Sequence, residues 1–252
     1  MEKEIVPSRS NFFGEIGCWV ERTPMHEAAS LGHALRLQQL IQSGAPRAQV
    51  DIRTVHGSTA LCNACAAGSP ECAKLLLEYG ATANPTLTAL TATPLHEACI
   101  RGNVDCVQLM IAEGARLEAF DIYFGTPLHA ACMKQHVDCA RVLLNAGANV
   151  NAARFHETAL HLAAKENNVD LIEMLVAFGG NVRATDNLSR KPIDYTRPAS
   201  LSATCLEFYE STPLSLQQLS RVVYRRALGS RAEEWVSKLH LSPRIISYLS
   251  YR

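Results

Sequence analysis

Five copies of a four-residue motif decide the fold of this chain. They read Thr23-Pro24-Met25-His26, Thr59-Ala60-Leu61-Cys62, Thr93-Pro94-Leu95-His96, Thr126-Pro127-Leu128-His129 and Thr158-Ala159-Leu160-His161. The successive threonines are 36, 34, 33 and 32 residues apart. Self-similarity at a period of this length predicts a stack of repeated units, because one such unit cannot bury its own apolar face.

Each unit has the same internal pattern. Threonine followed by proline favours the start of a helix, because the hydroxyl caps the helix and proline needs no backbone hydrogen bond at the first position. Alanine-rich positions then predict a thin first helix, and an apolar face predicts a second helix that ends at a left-handed glycine. That glycine stands twenty-one residues after each threonine: Gly44, Gly80, Gly114, Gly147 and Gly179. The variation in length therefore falls in the loop that follows the glycine.

At these residues the chain resembles the ankyrin repeat family, and the resemblance covers about residues 23–190. It implies an all-α solenoid whose unit is a turn followed by two antiparallel helices. Lys191-Pro192-Ile193-Asp194-Tyr195 stands 33 residues after Thr158 and is similar to the start of a sixth, truncated repeat that caps the stack. We therefore expect a lead-in and capping segment over residues 1–22, and five full repeats plus the truncated sixth over residues 23–198.

The overall composition is that of a globular protein without a strongly charged partner. The 252 residues include 24 basic and 24 acidic ones, and 48% are hydrophobic. Zero net charge argues against a dedicated nucleic-acid or membrane-surface binder, so we expect neither partner. The first ten residues lack the apolar run of a secretion signal, and the nine cysteines form an odd number. We expect free thiols in a reducing compartment, which is the cytoplasm, with the nucleus as an additional location.

The cysteines and histidines follow the repeat register. Cys62 and Cys65 form a Cys-x-x-Cys pair, which can indicate a redox dithiol or half of a zinc site. The register favours buried, apolar packing instead. Six cysteines fall six or thirteen residues after the threonine of three consecutive units: Cys65, Cys99, Cys132, Cys72, Cys106 and Cys139. In ankyrin repeats the motif histidine typically hydrogen-bonds between neighbouring loops. No catalytic triad or phosphate-binding loop stands out, so we expect neither a catalytic centre nor a cofactor or metal.

Aromatic residues stand at the same place in two neighbouring loops. Tyr123 and Phe124 lie three and two residues before the threonine of one unit, and Phe155 and His156 hold the same places before the next. Loop tips are normally polar, and exposed aromatic side chains are typical of interface anchors. These four residues are the predicted substrate-binding surface. The alternative is that Phe124 and Phe155 fold back onto the helices as packing residues.

A different module follows the repeats. The period ends before residues 199–252, which carry seven basic and four acidic residues. Ser215 with Gln218 three residues later is a helix-start pattern, and an apolar stripe follows it. Further short helices are expected over residues 231–239 and after Ser242-Pro243. Three helices in about forty residues form a small core, so we expect the repeats or a partner to stabilise it.

Ankyrin repeats followed by this terminal module resemble the ankyrin-repeat and SOCS-box family of ubiquitin-ligase substrate receptors. The resemblance runs from Gly14-Glu15-Ile16-Gly17-Cys18-Trp19-Val20-Glu21-Arg22-Thr23 to Tyr248-Leu249-Ser250-Tyr251 and covers nearly the whole chain. It implies a small three-helix SOCS box over residues 199–252 and a non-enzymatic adaptor. Such a receptor holds a substrate protein on its repeats and joins elongin B/C, cullin five and the RING partner of that cullin through the box. Catalysis is then proximity supplied between other proteins.

The resemblance also implies which box residues bind. Elongin C takes a leucine that is preceded by a small residue and followed four residues later by a cysteine. The matching set has serine at the cysteine position: Ser215, Leu216, Leu219, Ser220 and Val223. The cullin-contacting element, normally Leu-Pro-apolar-Pro, is matched in part by Leu239, Leu241 and Pro243. A hydroxyl buried without a partner costs on the order of 1–3 kcal/mol. The alternative is therefore an ankyrin interaction scaffold whose altered box no longer recruits a ligase.

One departure from the family concerns length. Between about Gly44 and Asp51 the chain has only a loop, where a similar family member has another full repeat. We interpret this difference as the mark of a splice form or of a divergent relative.

Overall fold

The structure is a computed structural model, and it describes residues 19–20, 23–43, 50–55, 57–85, 92–212, 214–228, 238 and 242–249. Within these residues the repeats form consecutive helix pairs. Their bounds are α1 Pro24–Ser30, α2 Ala34–Gln42, α3 Ala60–Ala67, α4 Pro70–Glu78, α5 Pro94–Arg101, α6 Val104–Ala112, α7 Pro127–Met133, α8 Val137–Asn145, α9 Ala159–Lys165 and α10 Val169–Ala177. First helices contact neighbouring first helices, and second helices contact neighbouring second helices. The pairs therefore form one linear stack, and the predicted all-α solenoid is confirmed.

The motif histidines cap their own helices and bind the next unit. In the third unit the Thr93 hydroxyl accepts a hydrogen bond from the His96 backbone N–H at 3.2 Å, and the Thr93 N–H donates to His96 Nδ1 at 3.2 Å. Nδ1 is therefore unprotonated, and the proton of the neutral ring lies on Nε2. Nε2 donates to the carbonyl of Gly125, directly before the next motif, at 2.9 Å. Equivalent bonds, which we call the histidine ladder, join His26 to Ser58, His129 to Glu157 and His161 to Arg190.

Cys62 replaces the histidine in the second unit. The Thr59 hydroxyl donates to Cys62 Sγ at 3.4 Å, and the thiol donates to the Ala92 carbonyl at 3.7 Å. Because a thiol is a weak donor, this link between units is weaker than a histidine link.

The core lies between the two rows of helices. Alanines of the first helices have no accessible surface, so neighbouring helices approach closely: Ala28, Ala29, Ala64, Ala98, Ala130, Ala131, Ala163 and Ala164. The six cysteines in register are also fully buried, which confirms that they pack as small apolar side chains. As predicted, left-handed glycines follow the second helices at Gly80, Gly114, Gly147 and Gly179, whereas Gly44 lies outside the described residues.

The sixth unit is longer than the sequence analysis expected. A 3₁₀ helix, Pro192–Tyr195, stands in the place of a first helix, and α11, Leu201–Ser211, follows it. α11 contacts both α10 and the 3₁₀ helix, and it buries Ala203 and Leu206. By these contacts α11 is the second helix of the sixth unit, so the terminal module begins after it rather than at residue 199. No repeat motif marks α11, because only its buried face has to fit α10.

Two short strand pairs accompany the helices. β1, Trp19–Val20, pairs in parallel with β2, Arg53–Thr54, and β3, Ala153–Arg154, pairs in antiparallel fashion with β4, Glu157–Thr158. The first pair joins the lead-in segment to the second unit through the backbone. Most of residues 1–22 lies outside the described residues, so the capping role of that segment stays a prediction.

Two helices of the terminal module are described, namely α12, Leu216–Leu228, and α13, Pro243–Leu249. The helix expected over residues 231–239 falls outside the described residues except for Lys238. Among the helices that the structure describes, none has an apolar stretch that would span a bilayer.

Candidate protein-binding surfaces

The first surface is a stripe of side chains on α12. Leu216, Leu219, Ser220 and Val223 are three or four residues apart, so they lie on one face of the helix. All four are exposed, and Leu216 keeps 85% of its surface accessible. We call these four residues the α12 stripe. Exposed apolar side chains at helical spacing are typical of a helix that lies in a partner's groove.

Ser215 caps α12 directly before the stripe. Its hydroxyl accepts a hydrogen bond from the Gln218 backbone N–H at 3.2 Å, and its own N–H donates to Gln218 Oε1 at 2.9 Å. This reciprocal capping box satisfies two backbone donors at the start of the helix. The predicted helix start is confirmed, and the cap places Leu216 in the first turn.

The opposite face of α12 contacts the repeat stack through Arg225. Its guanidinium lies 5.0 Å from the centroid of the Phe178 ring, and its Nη1 donates to Asn145 Oδ1 at 3.1 Å. A Cβ on Gly179 would lie 2.7 Å from a Val222 methyl, so α12 also approaches the stack too closely for a larger residue there. Arg225 follows Leu216 by nine residues, which places it about 180° from the stripe.

Two arginines of α12 hold α13. Arg225 Nε donates to the Leu249 carbonyl at 3.2 Å, and Arg221 Nη1 donates to the Tyr248 carbonyl at 3.3 Å. The Arg221 guanidinium also lies 4.4 Å from the centroid of the Tyr248 ring. Arg225 therefore contacts both α13 and the repeat stack.

The predicted cullin element is described only in part. Pro243 is the first residue of α13 and is exposed. Leu239 and Leu241 lie outside the described residues. The role of these three residues stays a prediction.

The second surface is formed by the loops that precede the fourth, fifth and sixth units. We call them fingers 4, 5 and 6, which are residues 115–125, 148–157 and 181–190. Tyr123 and Phe155 hold the same place in fingers 4 and 5, and each keeps 61% of its surface exposed. His156 is exposed as well, whereas Phe124 is half-buried against the core. Of the four predicted substrate residues, three therefore face solvent and Phe124 packs.

Sequence reasoning missed a third exposed tip in the same register. Leu188 of finger 6 stands three residues before Lys191, as Tyr123 and Phe155 stand before their threonines, and 63% of it is exposed. The alignment of Lys191 with the repeat threonines was the signal that could have found it. We call Tyr123, Phe155 and Leu188 the tip row.

Finger 5 holds its aromatic residues in an unusual turn. Only Phe155 and His156 connect β3 to β4, and their φ angles are 47° and 68°. A two-residue hairpin loop with two left-handed residues is a type I′ turn, for which Asn-Gly is favoured. A residue with a Cβ in this conformation costs roughly 1–2 kcal/mol. Such strain persists chiefly at functional sites, which favours a binding role for this tip.

The thiols that could support redox or zinc chemistry are held protonated. Burial raises the pKa of Cys62, and a hydrogen bond with Cys106 together with burial raises the pKa of Cys65 well above its usual range. A protonated thiol is neither a nucleophile nor a metal ligand. In the part of the chain that the structure describes, no group of three histidine, cysteine or acidic residues could hold a metal ion.

Three of the ladder histidines are held neutral. Burial lowers the pKa of His129 to about 4, and it also lowers the pKa of His96 and His161. Neutral rings are what the ladder needs, because Nδ1 must accept a hydrogen bond while Nε2 donates one. These histidines are structural links rather than acid–base catalysts.

Protein-family models match both parts of the chain. Ankyrin-repeat models match residues 11–89, 83–154 and 143–195, and a SOCS-box model matches residues 212–250. The box match begins directly after α11, in agreement with the contacts of that helix.

Curated relatives match nearly the whole chain. The chain is 56% identical to Ankyrin repeat and SOCS box protein 13 of Mus musculus and 55% identical to the Homo sapiens protein of the same name, over 95% of this chain and 96% of each relative. The alignments have 270 positions, whereas 95% of this chain is about 240 residues. About 30 positions therefore have no counterpart here, close to the ankyrin period. This agrees with the expected absence of one repeat.

A solved structure has the same arrangement of repeats. The ankyrin repeat domain of human ASB11 is 33% identical and superposes with a TM-score of 0.65, covering 77% of this chain and 100% of that one.

Proposed function

Because this chain belongs to the ankyrin-repeat and SOCS-box family, we propose that it is a substrate-recognition subunit of an elongin–cullin type ubiquitin ligase. The repeat stack holds a target protein, and the box joins elongin B/C, cullin five and the RING partner of that cullin. The chain acts without a catalytic group of its own, by holding the target near the charged ubiquitin-conjugating enzyme. Its cysteine content favours the cytoplasm, and the nucleus in addition, as its location.

The position of the α12 stripe carries this proposal. The stripe faces away from the side on which Arg225 contacts the stack, so the box can bind elongin C while the stack stays attached. Leu216 is 85% exposed and has the most surface to bury in an elongin C pocket. Complete burial of a leucine side chain contributes about 2 kcal/mol to the free energy of binding.

We assign target binding to the tip row together with His156. Tips in the same register on successive units form a continuous strip along the stack. Tyr123 and Phe155 present large contact areas and lose little side-chain entropy on binding. Phe124 supports finger 4 from below rather than contacting the target.

The substitution Leu216→Ala tests the elongin assignment. We expect elongins B and C to be lost from the purified chain, because truncating a buried leucine costs about 2–5 kcal/mol. Leu201→Ala is the matched control, since Leu201 lies on α11, is 79% exposed and has no assigned partner. The control should keep both elongins, and both variants should unfold at the temperature of the unaltered chain. Undiminished elongin binding by Leu216→Ala would overturn the assignment.

Ser220 favours a second candidate function. Serine at the cysteine position places a more polar side chain against the elongin C pocket, and a hydroxyl costs more to bury than a thiol. The chain would then be an ankyrin interaction scaffold that binds targets without recruiting a ligase. Co-purification distinguishes the two functions: a ligase subunit brings cullin five down with the elongins, whereas a scaffold brings down targets alone.

A further inference from the structure

We propose that the target segment held by fingers 4 and 5 carries a carboxylate beside an apolar side chain, and that Arg154 binds this carboxylate. The inference rests on the proposed function, because it names the chemistry of the target that the same surface recognises. Tyr123 and Phe155 would contact the apolar side chain.

Arg154 contacts both finger 5 and finger 4. It ends β3 directly before Phe155, and its guanidinium carbon is 5.3 Å from the centroid of the Phe155 ring. Its side chain crosses the base of finger 4, because a Cβ on Gly125 would lie 2.9 Å from Arg154 Cδ. Gly125 is only two residues after Tyr123. The Arg154 side chain therefore contacts finger 4 at Gly125 and finger 5 at Phe155, and a segment that crosses between these fingers passes beside it.

The positive charge of Arg154 is not neutralised by its surroundings. No described carboxylate lies within 4.0 Å of the guanidinium. Glu157, its cross-strand neighbour, instead pairs with Lys165 at 2.5 Å. Asp121 of finger 4 accepts hydrogen bonds from two backbone N–H groups of its own finger, each at 2.7 Å. Arg154 Nε is covered by protein and has no acceptor among the described residues, so a partner's carboxylate would have to bind the terminal nitrogens of the guanidinium. A guanidinium in this state is complementary to a carboxylate supplied by a partner.

The size of the surface fits a short linear segment. Neighbouring helices of a stack lie about 8–10 Å apart, and an extended chain advances about 3.3 Å per residue. Three or four target residues therefore span the two fingers. Phosphate is recognised by clusters of arginines, whereas one guanidinium matches one carboxylate. We infer that an aspartate or glutamate is bound and that phosphorylation is not required.

Selection of peptides tests the inference. Random peptides displayed on phage are selected against the full chain, which is expressed together with elongins B and C and purified through a tag on the chain itself. We expect enrichment of Asp or Glu within two residues of an aromatic or aliphatic side chain. A synthetic peptide from this set should bind at least about tenfold more weakly to Arg154→Gln, because a charge-assisted hydrogen bond is lost. Arg154→Glu should instead select Lys or Arg at the same place.

Arg141→Glu provides the matched control, since Arg141 is exposed on α8, the helix that directly precedes finger 5, and lies outside the fingers. Peptide affinity should be unchanged in this variant. The inference is overturned when the selected peptides show no acidic preference or when no peptide is enriched. It is also overturned when Arg154→Glu and Arg141→Glu weaken the binding of the acidic peptide equally. Elongin content is measured in the same samples. Its absence would contradict the proposed ligase function without altering the peptide result.

Discussion

Acidification should destabilise the repeat stack through the histidine ladder, and His129 sets the size of the effect. The side chain has no accessible surface, and burial lowers its pKa from 6.5 to about 4. Between these pH values the unfolded chain binds a proton that the folded chain excludes. The free energy of unfolding is therefore intact at pH 7 and above, and it falls as the pH drops below about 6.5.

The magnitude follows from the width of this pH window. One pH unit inside the window removes up to about 1.4 kcal/mol. For His129 alone the loss relative to pH 7 is about 2 kcal/mol at pH 5 and about 3 kcal/mol at pH 4. Protonation would also place hydrogen on Nδ1, which accepts the Thr126 N–H at 3.3 Å, and would remove that bond. His96 and His161 act in the same direction, because burial lowers their pKa too.

Urea unfolding of the full chain at pH 7, 6 and 5 measures this effect. His129→Gln is the control, because its amide can accept the threonine N–H at the same helix position and does not titrate. Between pH 7 and pH 5 the variant should lose about 2 kcal/mol less stability than the unaltered chain. The reasoning is refuted by an unaltered chain that is as stable at pH 5 as at pH 7, or by two chains with the same pH dependence.

Three further predictions concern single places in the structure. Cys62→His should raise the free energy of unfolding by about 1 kcal/mol, because it restores a ladder bond to the next unit. The prediction is contradicted when urea unfolding shows that the variant is no more stable than the unaltered chain. Phe155→Asn combined with His156→Gly should stabilise finger 5 by about 1–2 kcal/mol by relieving turn strain, yet it should reduce target capture in affinity purification. Unchanged capture would exclude both side chains from the target surface. Ser220→Cys should tighten elongin C binding in calorimetry, since a thiol costs less to bury than a hydroxyl. Equal affinities would mean that the pocket already satisfies the serine.

The stack could be predicted because its signals are local and periodic. Thr93 and His96 do in the third unit what Thr126 and His129 do in the fourth, so one motif predicts caps and links together. The start of α12 was equally readable, because Ser215 with its partner three residues later satisfies neighbouring backbone groups. The caps depend on residues that lie within one helical turn of each other, and the links between units repeat with the same period as the motif.

Features that depend on distant contacts were not predictable. Arg225 donates a hydrogen bond to Asn145, which lies 80 residues earlier in the sequence, and no local pattern marks either partner. Phe124 and Phe155 are both aromatic candidates, but they hold different places in their fingers: Phe124 packs against the core, whereas Phe155, in the place of Tyr123, is exposed. The helix α11 escaped detection for a similar reason. Its buried face is recognisable only against α10.

The described links from the motif histidines and Cys62 to the next unit end on the carbonyl directly before the next motif, and this has a consequence for how the protein varies in length. His26 binds the carbonyl of Ser58, and α1 contacts α3, in a chain that lacks about 30 positions of its relatives. Every unit presents the same acceptor to the unit before it, so whole units are interchangeable neighbours. Removing one shortens the stack by about 10 Å without exposing an apolar face. Members that differ by one unit therefore differ in the distance between the first unit of the stack and the terminal box.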